Sequence, residues 1–443
     1  MSYTAALEQL SAMAPELFTG AGHERRKFSL DQMRVLLGAL GDPQRHFRSV
    51  LVAGTNGKGS TAATLASILT VAGVRTGLYT SPHLVRPNER IRVGDREIDD
   101  EAFGALFARV QQAAQALVQS GQLPQIPSYF EFLTALGFLH FAEQHVELAV
   151  LEVGMGGRLD ATNVVDPLLS VITDISLDHM EWLGSTVGAI AKEKAGILRS
   201  RGTMVTLPQH PEANQALGEV AVALDVRGVN AAEYMPGMGS AGHDAYTLEV
   251  LGEPMRVDSP LAGAHQHRNL ALAIAAAVEL KNVHGFLITP AAIAEGIRAT
   301  RWPGRLERIA GQGVQWVLDV AHNPAGAWAL RAGLRGLLDD DMPRELVFSC
   351  LRDKPIRELA QILFPLFDRV ILAPIHSARA ASMEDLLAAA ESTGTPAYVA
   401  ASIPEALALA QTQGQGGVAV VAGSVYLVGE ARGLLLAAGS EQP

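Results

Sequence analysis

The chain runs to 443 residues, 48% hydrophobic and 18% charged, which is ordinary for a globular enzyme and too long for one compact core, so two or three domains are expected. A net charge of −11 argues against a general nucleic-acid or anionic-membrane surface, and neither is expected as a partner. The single cysteine, Cys350, excludes an intramolecular disulfide framework and a Cys-based zinc cluster and reads as core filler; with no basic leader and no apolar run near the ~20 residues that span a bilayer, the protein is expected in the cytoplasm.

From residue 50 short β-rich runs alternate with longer Ala/Leu-rich helical stretches, the signature of a doubly wound parallel sheet in the α/β class. "SVLVAG", "TGLYTS", "ELAVLEVG" and "LLSVITDI" read as its strands. Ligands in such folds sit beyond the carboxyl ends of the strands, so functional residues are expected just after these runs. Residues 225–258, short strand-like pieces separated by glycines, read as a small β excursion. Helices follow at "NLALAIAAAVEL" and near "AAIAEGIRA", and then Trp302-Pro303-Gly304 breaks the pattern. The domain boundary is expected there, giving domains over 1–300 and 301–443. Beyond it "QWVLDVAHN", "ELVFSCL", "RVILAPI", "AYVAAS" and "VAVVAGS" form a second alternating series, a smaller Rossmann-like α/β domain without G-x-G-x-x-G.

The stretch "VLVAGTNGKGSTAATLASIL", residues 50–69, opens with branched apolar residues, turns through three glycines around a lysine and continues as a helix. Gly54, Gly57 and Gly59 suit a loop, with Thr55 and Asn56 inside it, that wraps its N–H groups around an anion. The helix points its positive end at the same place. Lys58 supplies a mobile charge for the outer phosphates, and the Ser60 and Thr61 hydroxyls can reach phosphate oxygens or a metal. The usual phosphate loop is G-x-x-x-x-G-K-[ST]; G-T-N-G-K-G-S has a shorter first arm and a glycine between lysine and hydroxyl, so it belongs to a variant class. The plainer alternative is a Gly-rich turn with a solvated lysine.

"LAVLEVGMGGRLDATN" places Glu152 near the end of an apolar strand, where a carboxylate needs a cation or strong donors to offset its desolvation; a metal is the natural candidate. "VITDISLDHMEWLG" delivers Asp178 and His179 to the same edge. Mg²⁺ prefers oxygen ligands, so spacing alone leaves His179 open between ligand and structural loop histidine. His265 and His267 in "GAHQHRN" resemble an H-x-H metal pair, but without nearby acids they read as polar helix-start residues.

"GTNGKGS", "SPHLVRPNERIRV", "YFE", "LEVGMGGRLDATN", "LDHMEWLG", "KEKAGI", "WPGRLE", "DVAHNPAG" and "GSVYLVGE" occur in the order and near-spacing of the folylpolyglutamate synthase and dihydrofolate synthase family, part of the Mur ligase superfamily, which the chain resembles from about residue 28 to 430. The resemblance implies a central ATPase domain of Mur ligase type followed by the smaller domain. It also implies ATP-dependent amide ligation, in which the γ-phosphate passes to a substrate carboxylate and the amino group of L-glutamate attacks the acyl phosphate. Dihydropteroate and reduced folates are the implied acceptors, with a bifunctional monomer expected and a monofunctional folylpolyglutamate synthase as the alternative.

By the same resemblance Lys58 and its loop hold the β- and γ-phosphates, and Ser81, Glu152 and His179 are Mg²⁺ ligands, with two Mg²⁺ sites and a place for K⁺. Lys194 in "AKEKAGI" matches the lysine that the family carbamylates; read alone, it is a helix lysine beside Glu193. Asn269 would contact the adenine, and Arg305, Asp319 and His322 would reach the nucleotide from the far side, Arg305 by its planar fork. The pteridine pocket would use Phe28, Ser29, Leu30, Tyr129, Phe130, Glu131 and Leu159, with aromatic faces to stack the heterocycle and a carboxylate to accept its N–H donors. Read alone, "YFE" is equally a helix N-terminus with core aromatics. "SPHLVRPNERI" is expected as a polar loop over the site, bringing His83, Arg86 and Arg90 to the anionic substrate, while "CLRDKP", "IHSARAAS" and Ser424 lie at strand ends facing the glutamate.

Two other classes compete. Cell-wall peptide ligases of the same superfamily usually begin with a domain for the UDP-sugar carrier, and the 53 residues before Gly54 are too few for one. A nucleotide switch would carry an [NT]-K-x-D base-reading motif, which this chain lacks.

Overall fold

The computed structural model of the chain describes residues 1–13, 29–237, 245–311, 313–335, 337–338 and 341–440. The first unit is built on eight strands: β1 (Arg48–Ala53), β2 (Thr76–Tyr79), β3 (Ile91–Val93), β4 (Arg96–Glu97), β5 (Leu148–Glu152), β6 (Leu169–Ile172), β7 (Thr203–Thr206) and β8 (Arg227–Asn230), in the order β4-β3-β2-β5-β1-β6-β7-β8. The six strands from β2 to β8 run parallel, and β3 and β4 add an antiparallel hairpin at one edge. β1 shows why the sheet is buried on both faces. Its Val50 and Val52 pack with Leu65 and Ile68 on one side, while Leu51 and Ala53 pack with Phe103, Phe132 and Phe138 on the other.

β1 lies between β5 and β6, where the winding of the sheet reverses, so the residues after these strands share one crevice. The helix Lys58–Val71 leaves that crevice directly after the glycine turn. Residues 225–258 divide differently from the sequence expectation. β8 joins the large sheet as its edge strand, and only β9 (Ala245–Val250) and β10 (Glu253–Asp258) form a separate antiparallel hairpin. An edge strand needs no two-sided apolar run, and none of the four β8 residues is buried, which is why its membership was not legible. The expected polar loop after Ser81 likewise ends in a strand, because Ile91 is fully buried and pairs with Tyr79.

The second unit is a six-stranded sheet of β11 (Glu307–Ala310), β12 (Gln315–Asp319), β13 (Arg344–Phe348), β14 (Arg369–Leu372), β15 (Ala397–Val399) and β16 (Val418–Ala422), in the order β11-β12-β16-β13-β14-β15. All pairs are parallel except β11 with β12. Its faces alternate as in the first sheet, with Val317, Phe348 and Val420 on one side and Trp316, Val347 and Val421 on the other. Cys350 is fully buried as filler in the first of these clusters. Residues 301–306 join the units, and the Ser81–Arg90 segment leans across the junction. A Cβ on Gly429 would fall 1.9 Å from the Leu84 carbonyl oxygen, so the Val425–Ser440 helix fits against that segment only through a glycine.

Candidate active site

The glycine turn after β1 is shaped by what presses on it. A Cβ on Gly54 would fall 1.8 Å from Thr173 Oγ1, one on Gly57 2.1 Å from Asn269 Oδ1, and one on Gly59 2.6 Å from the Trp302 ring. Gly57, at φ 86°, is the N-cap of the Lys58–Val71 helix and offers no side chain to its first N–H groups. Lys58 Nζ turns back to donate to the Thr55 carbonyl at 3.1 Å, and the buried Thr61 hydroxyl has no hydrogen-bond partner among the described residues. Uncapped amides, an adjacent ammonium and an orphaned hydroxyl at one helix start make an anion site.

Glu152 ends β5 beside this turn, 4% exposed, and its Oε2 accepts the Ser81 N–H at 3.1 Å. Burial pushes its carboxyl above the usual range, opposed by Lys58, the Ser81 amide, Arg305 and Arg90. His179 follows β6 on a turn with φ 51° and opens the short helix Met180–Leu183. His179 is exposed as a residue. Desolvation by the surrounding protein nevertheless lowers its pKa to about 4, against the pull of Asp178, with Lys354, Lys58 and His322 adding to the decrease. Lys194, 4% exposed on the Val187–Ala195 helix, donates from Nζ to the Gly54 carbonyl at 2.6 Å. Burial first, and Lys58 second, lower its pKa to about 7.

The second unit supplies the opposite wall. Arg305 donates to the Gly304 carbonyl at 3.0 Å, and burial lowers its pKa while Asp319 and Glu152 hold it up. Asp319 braces the backbone on both sides of that region, accepting the Leu306 N–H and the Ala321 N–H, each at 2.9 Å. His322 Nδ1 is 2.9 Å from the Val320 carbonyl, so Nδ1 carries the proton, and Nε2 stands 3.7 Å from Asp178. Lys354 donates to Asp178 Oδ1 at 2.7 Å across the junction. Burial alone would raise the Asp178 carboxyl, but His322, His179 and Lys354 together hold it well below the usual carboxylate range.

The remaining site candidates are spread over several elements. Tyr129, Phe130 and Glu131 form the first turn of the Tyr129–Glu143 helix, beside the crevice; the Phe130 ring fills the space over Gly154, and Arg90 stands 5.4 Å over the Tyr129 ring. Glu131 Oε2 accepts both the N–H (2.8 Å) and the hydroxyl (2.7 Å) of Ser128, so that oxygen caps its own helix. His83 accepts from Arg90 Nε at 2.9 Å, and burial first, then Arg90, push its pKa down to about 3. Of the two loop arginines, Arg90 acts on Glu152, whereas Arg86 is exposed and engaged with Asp100 and the Tyr3 ring. Ser29 caps the Leu30–Ala39 helix by accepting the Asp31 N–H, Leu159 is 37% exposed, and Ser424 is buried at the end of β16, accepting the Tyr426 N–H. Phe28 lies outside the described residues. Asn269, 6% exposed, touches the Gly57 turn and donates to Gln266 at 2.8 Å.

Among the described residues no three His, Cys, Asp or Glu side chains stand together as a metal cluster. A divalent cation beside Glu152, which accepts the Ser81 N–H, would therefore draw most of its ligands from phosphate oxygens, the donor type that suits Mg²⁺. Sequence reasoning brought Lys354 to the cleft within "CLRDKP" but not onto Asp178; it missed Asn323, and it missed the Arg268 fork on Asp174, which fixes the strand end opposite Thr55 and Asn56.

The fold and this split site define a two-domain ligase of Mur type. The Mur ligase middle domain matches residues 101–277, and the Mur ligase glutamate ligase domain matches residues 304–425. The dihydrofolate synthase/folylpolyglutamate synthase of Bacillus subtilis is 38% identical over 384 residues, covering 83% of this chain and 87% of that protein. Folylpolyglutamate synthase of Mycobacterium tuberculosis, solved with ADP, matches with a TM-score of 0.83 at 32% identity over 98% of this chain and 99% of that one. Escherichia coli FolC, solved with DHPP and ADP, matches with a TM-score of 0.79 at 29% identity over 96% and 97%. The chain belongs to the dihydrofolate synthase/folylpolyglutamate synthase family.

Proposed function

We propose that the protein uses ATP to join L-glutamate to dihydropteroate and to the γ-carboxylate of reduced folates. The observation that carries this is the meeting of an uncapped helix start with Lys58, the buried Glu152 and an arginine, Arg305, from the other domain at one crevice. A free carboxylate is a poor acylating agent; phosphorylation gives it a leaving group, and the glutamate amine then displaces phosphate to form the amide. Lys58 and the turn amides hold the outer phosphates, and Arg305 neutralises charge from the opposite side. Mg²⁺ bound by Glu152, Ser81 and His179 would supply further charge neutralisation when present. The relatives solved with ADP, and in one case with DHPP, support this assignment of the cleft.

Three finer points belong to the same proposal. The boundary between domains lies at 300/301, where Trp302 presses on Gly59 and links the junction to the phosphate loop. Lys194 is carbamylated: a pKa near 7 leaves an unprotonated amine that can add CO₂, releasing a proton, and bicarbonate should raise activity as pH rises through that value. Lys194→Ala should lose activity and regain part of it with added short carboxylic acids. The protein works as a cytoplasmic monomer, and no helix among the described residues is long and apolar enough to cross a membrane.

Phosphate release with ATP and L-glutamate, compared between dihydropteroate and tetrahydrofolate, tests the reading. Glutamate-dependent release with both acceptors is expected. Release with tetrahydrofolate alone would make the enzyme a monofunctional folylpolyglutamate synthase, and release that ignores glutamate would overturn the ligase assignment.

A further inference from the structure

Asn323 opens the Pro324–Gly333 helix and is 2% exposed. Its Oδ1 accepts the Gly326 N–H at 2.8 Å, while its Nδ2 donates to Asn56 Oδ1 at 3.0 Å and to Asp178 Oδ2 at 3.2 Å. Chemistry fixes this orientation of the amide. Exchanging its oxygen and nitrogen would set donor against donor at Gly326 and acceptor against acceptor at Asn56 and Asp178. Both partners belong to working parts of the first domain. Asn56 lies in the phosphate loop, held there by its own Nδ2 on Ser176 Oγ at 3.2 Å, and Asp178 precedes His179.

We propose that Asn323 is a positioning residue for ligation, whose amide nitrogen ties the phosphate loop at Asn56 to the Asp178–His179 turn when the second domain closes. The proposal rests on the ligase assignment. Capping requires only an acceptor, which a hydroxyl or carboxylate supplies as well as an amide. Bridging two acceptors requires two N–H donors on one atom, which serine and aspartate lack. A buried asparagine at this place therefore does more than start a helix. By fixing the phosphate loop against the turn that carries His179, it sets the distance between the phosphoryl donor and the groups on that turn, and geometry of this kind acts on turnover rather than on nucleotide affinity.

Asn323→Ser and Asn323→Asp separate the two roles, because both keep a capping oxygen and both lose the bridge, and the aspartate also repels Asp178. We expect Tm close to that of the unaltered protein, KM for ATP within about threefold, and kcat lower by about tenfold in the serine variant and about a hundredfold in the aspartate variant. Spin labels on Val222→Cys and Tyr398→Cys, exposed at 84% and 54%, should report a wider separation of the domains with nucleotide bound in both variants. Full turnover in Asn323→Asp, a loss confined to KM for ATP, or label separations unchanged in both variants would each overturn the proposal. If one variant fails to fold, the other carries the test. Failure of the unaltered enzyme to turn over with glutamate would instead defeat the ligase assignment, while the label separations would still decide whether Asn323 ties the domains.

Discussion

The two sheet edges that face each other across the cleft hold their functional side chains by different means. At the edge of the first sheet, the backbone does most of the holding: the Thr55 and Asn56 amides donate to the Asp174 carbonyl at 2.8 and 3.2 Å, Thr55 Oγ1 donates to the Ser176 carbonyl, and Thr173 Oγ1 donates to the Asn56 carbonyl. At the edge of the second sheet, His322, Asn323 and Lys354 reach the site through side-chain contacts to Asp178 and Asn56. The first arrangement forms when the domain folds. The second exists only while the domains are together, and opening the cleft returns those groups to water. On the proposed function the phosphate site is thus built in advance and the complete catalytic site needs the domains closed, which would also keep water from an acyl phosphate.

The largest effect should come from the part built in advance. Lys58→Ala removes a charge that acts on the transferring phosphate, and we expect turnover to fall by about 10²–10³-fold, or about 3–4 kcal/mol, in a protein with unchanged Tm. A folded Lys58→Ala protein with near-normal turnover would break the comparison at its stronger side. Arg305→Ala should cost about a hundredfold in kcat and leave dihydropteroate affinity intact, because Arg305 comes from the far wall to the nucleotide. Titration of the variant with dihydropteroate decides this, and a loss of affinity alone would put Arg305 in the acceptor pocket.

Lys354→Met sharpens the conditional side. The pair it makes with Asp178 is buried, with side chains 6% and 11% exposed. Removing one partner of such a pair usually costs about 3–5 kcal/mol when the other must stay buried. Here Asp178 regains water by opening the cleft, and Asn323 and His322 still face it. The cost should therefore fall on closure, giving about tenfold lower turnover with unchanged Tm. A lower Tm would mean that the domains are joined as firmly as either is folded.

The same contrast explains what was legible in the sequence. Gly54, Gly57 and Gly59 announce themselves because Thr173, Asn269 and the Trp302 ring leave no room for a Cβ, and a run of glycines around a lysine can be read without knowing those neighbours. Glu152 was legible as a carboxylate at the end of an apolar strand. Asn323 was not, and Lys354 was placed at the cleft by "CLRDKP" without its partner Asp178, since the partners of the two lie 267 and 176 residues away. Glu131 shows a signal that carries two readings: Ser128-x-x-Glu131 is a capping-box pattern, and the carboxylate does close that box, through the oxygen that accepts from Ser128. β8 escaped because an exposed edge strand carries no apolar pattern.

The central claim is that the cleft transfers phosphate to a carboxylate before the amide forms. Dihydropteroate labelled with oxygen-18 in its carboxylate, incubated with ATP, L-glutamate and the enzyme, tests it directly by mass spectrometry of the released phosphate. An acyl phosphate requires that one carboxylate oxygen leave with the phosphate, so the account predicts phosphate carrying oxygen-18 in step with amide formation. Amide formation accompanied by unlabelled phosphate would contradict it.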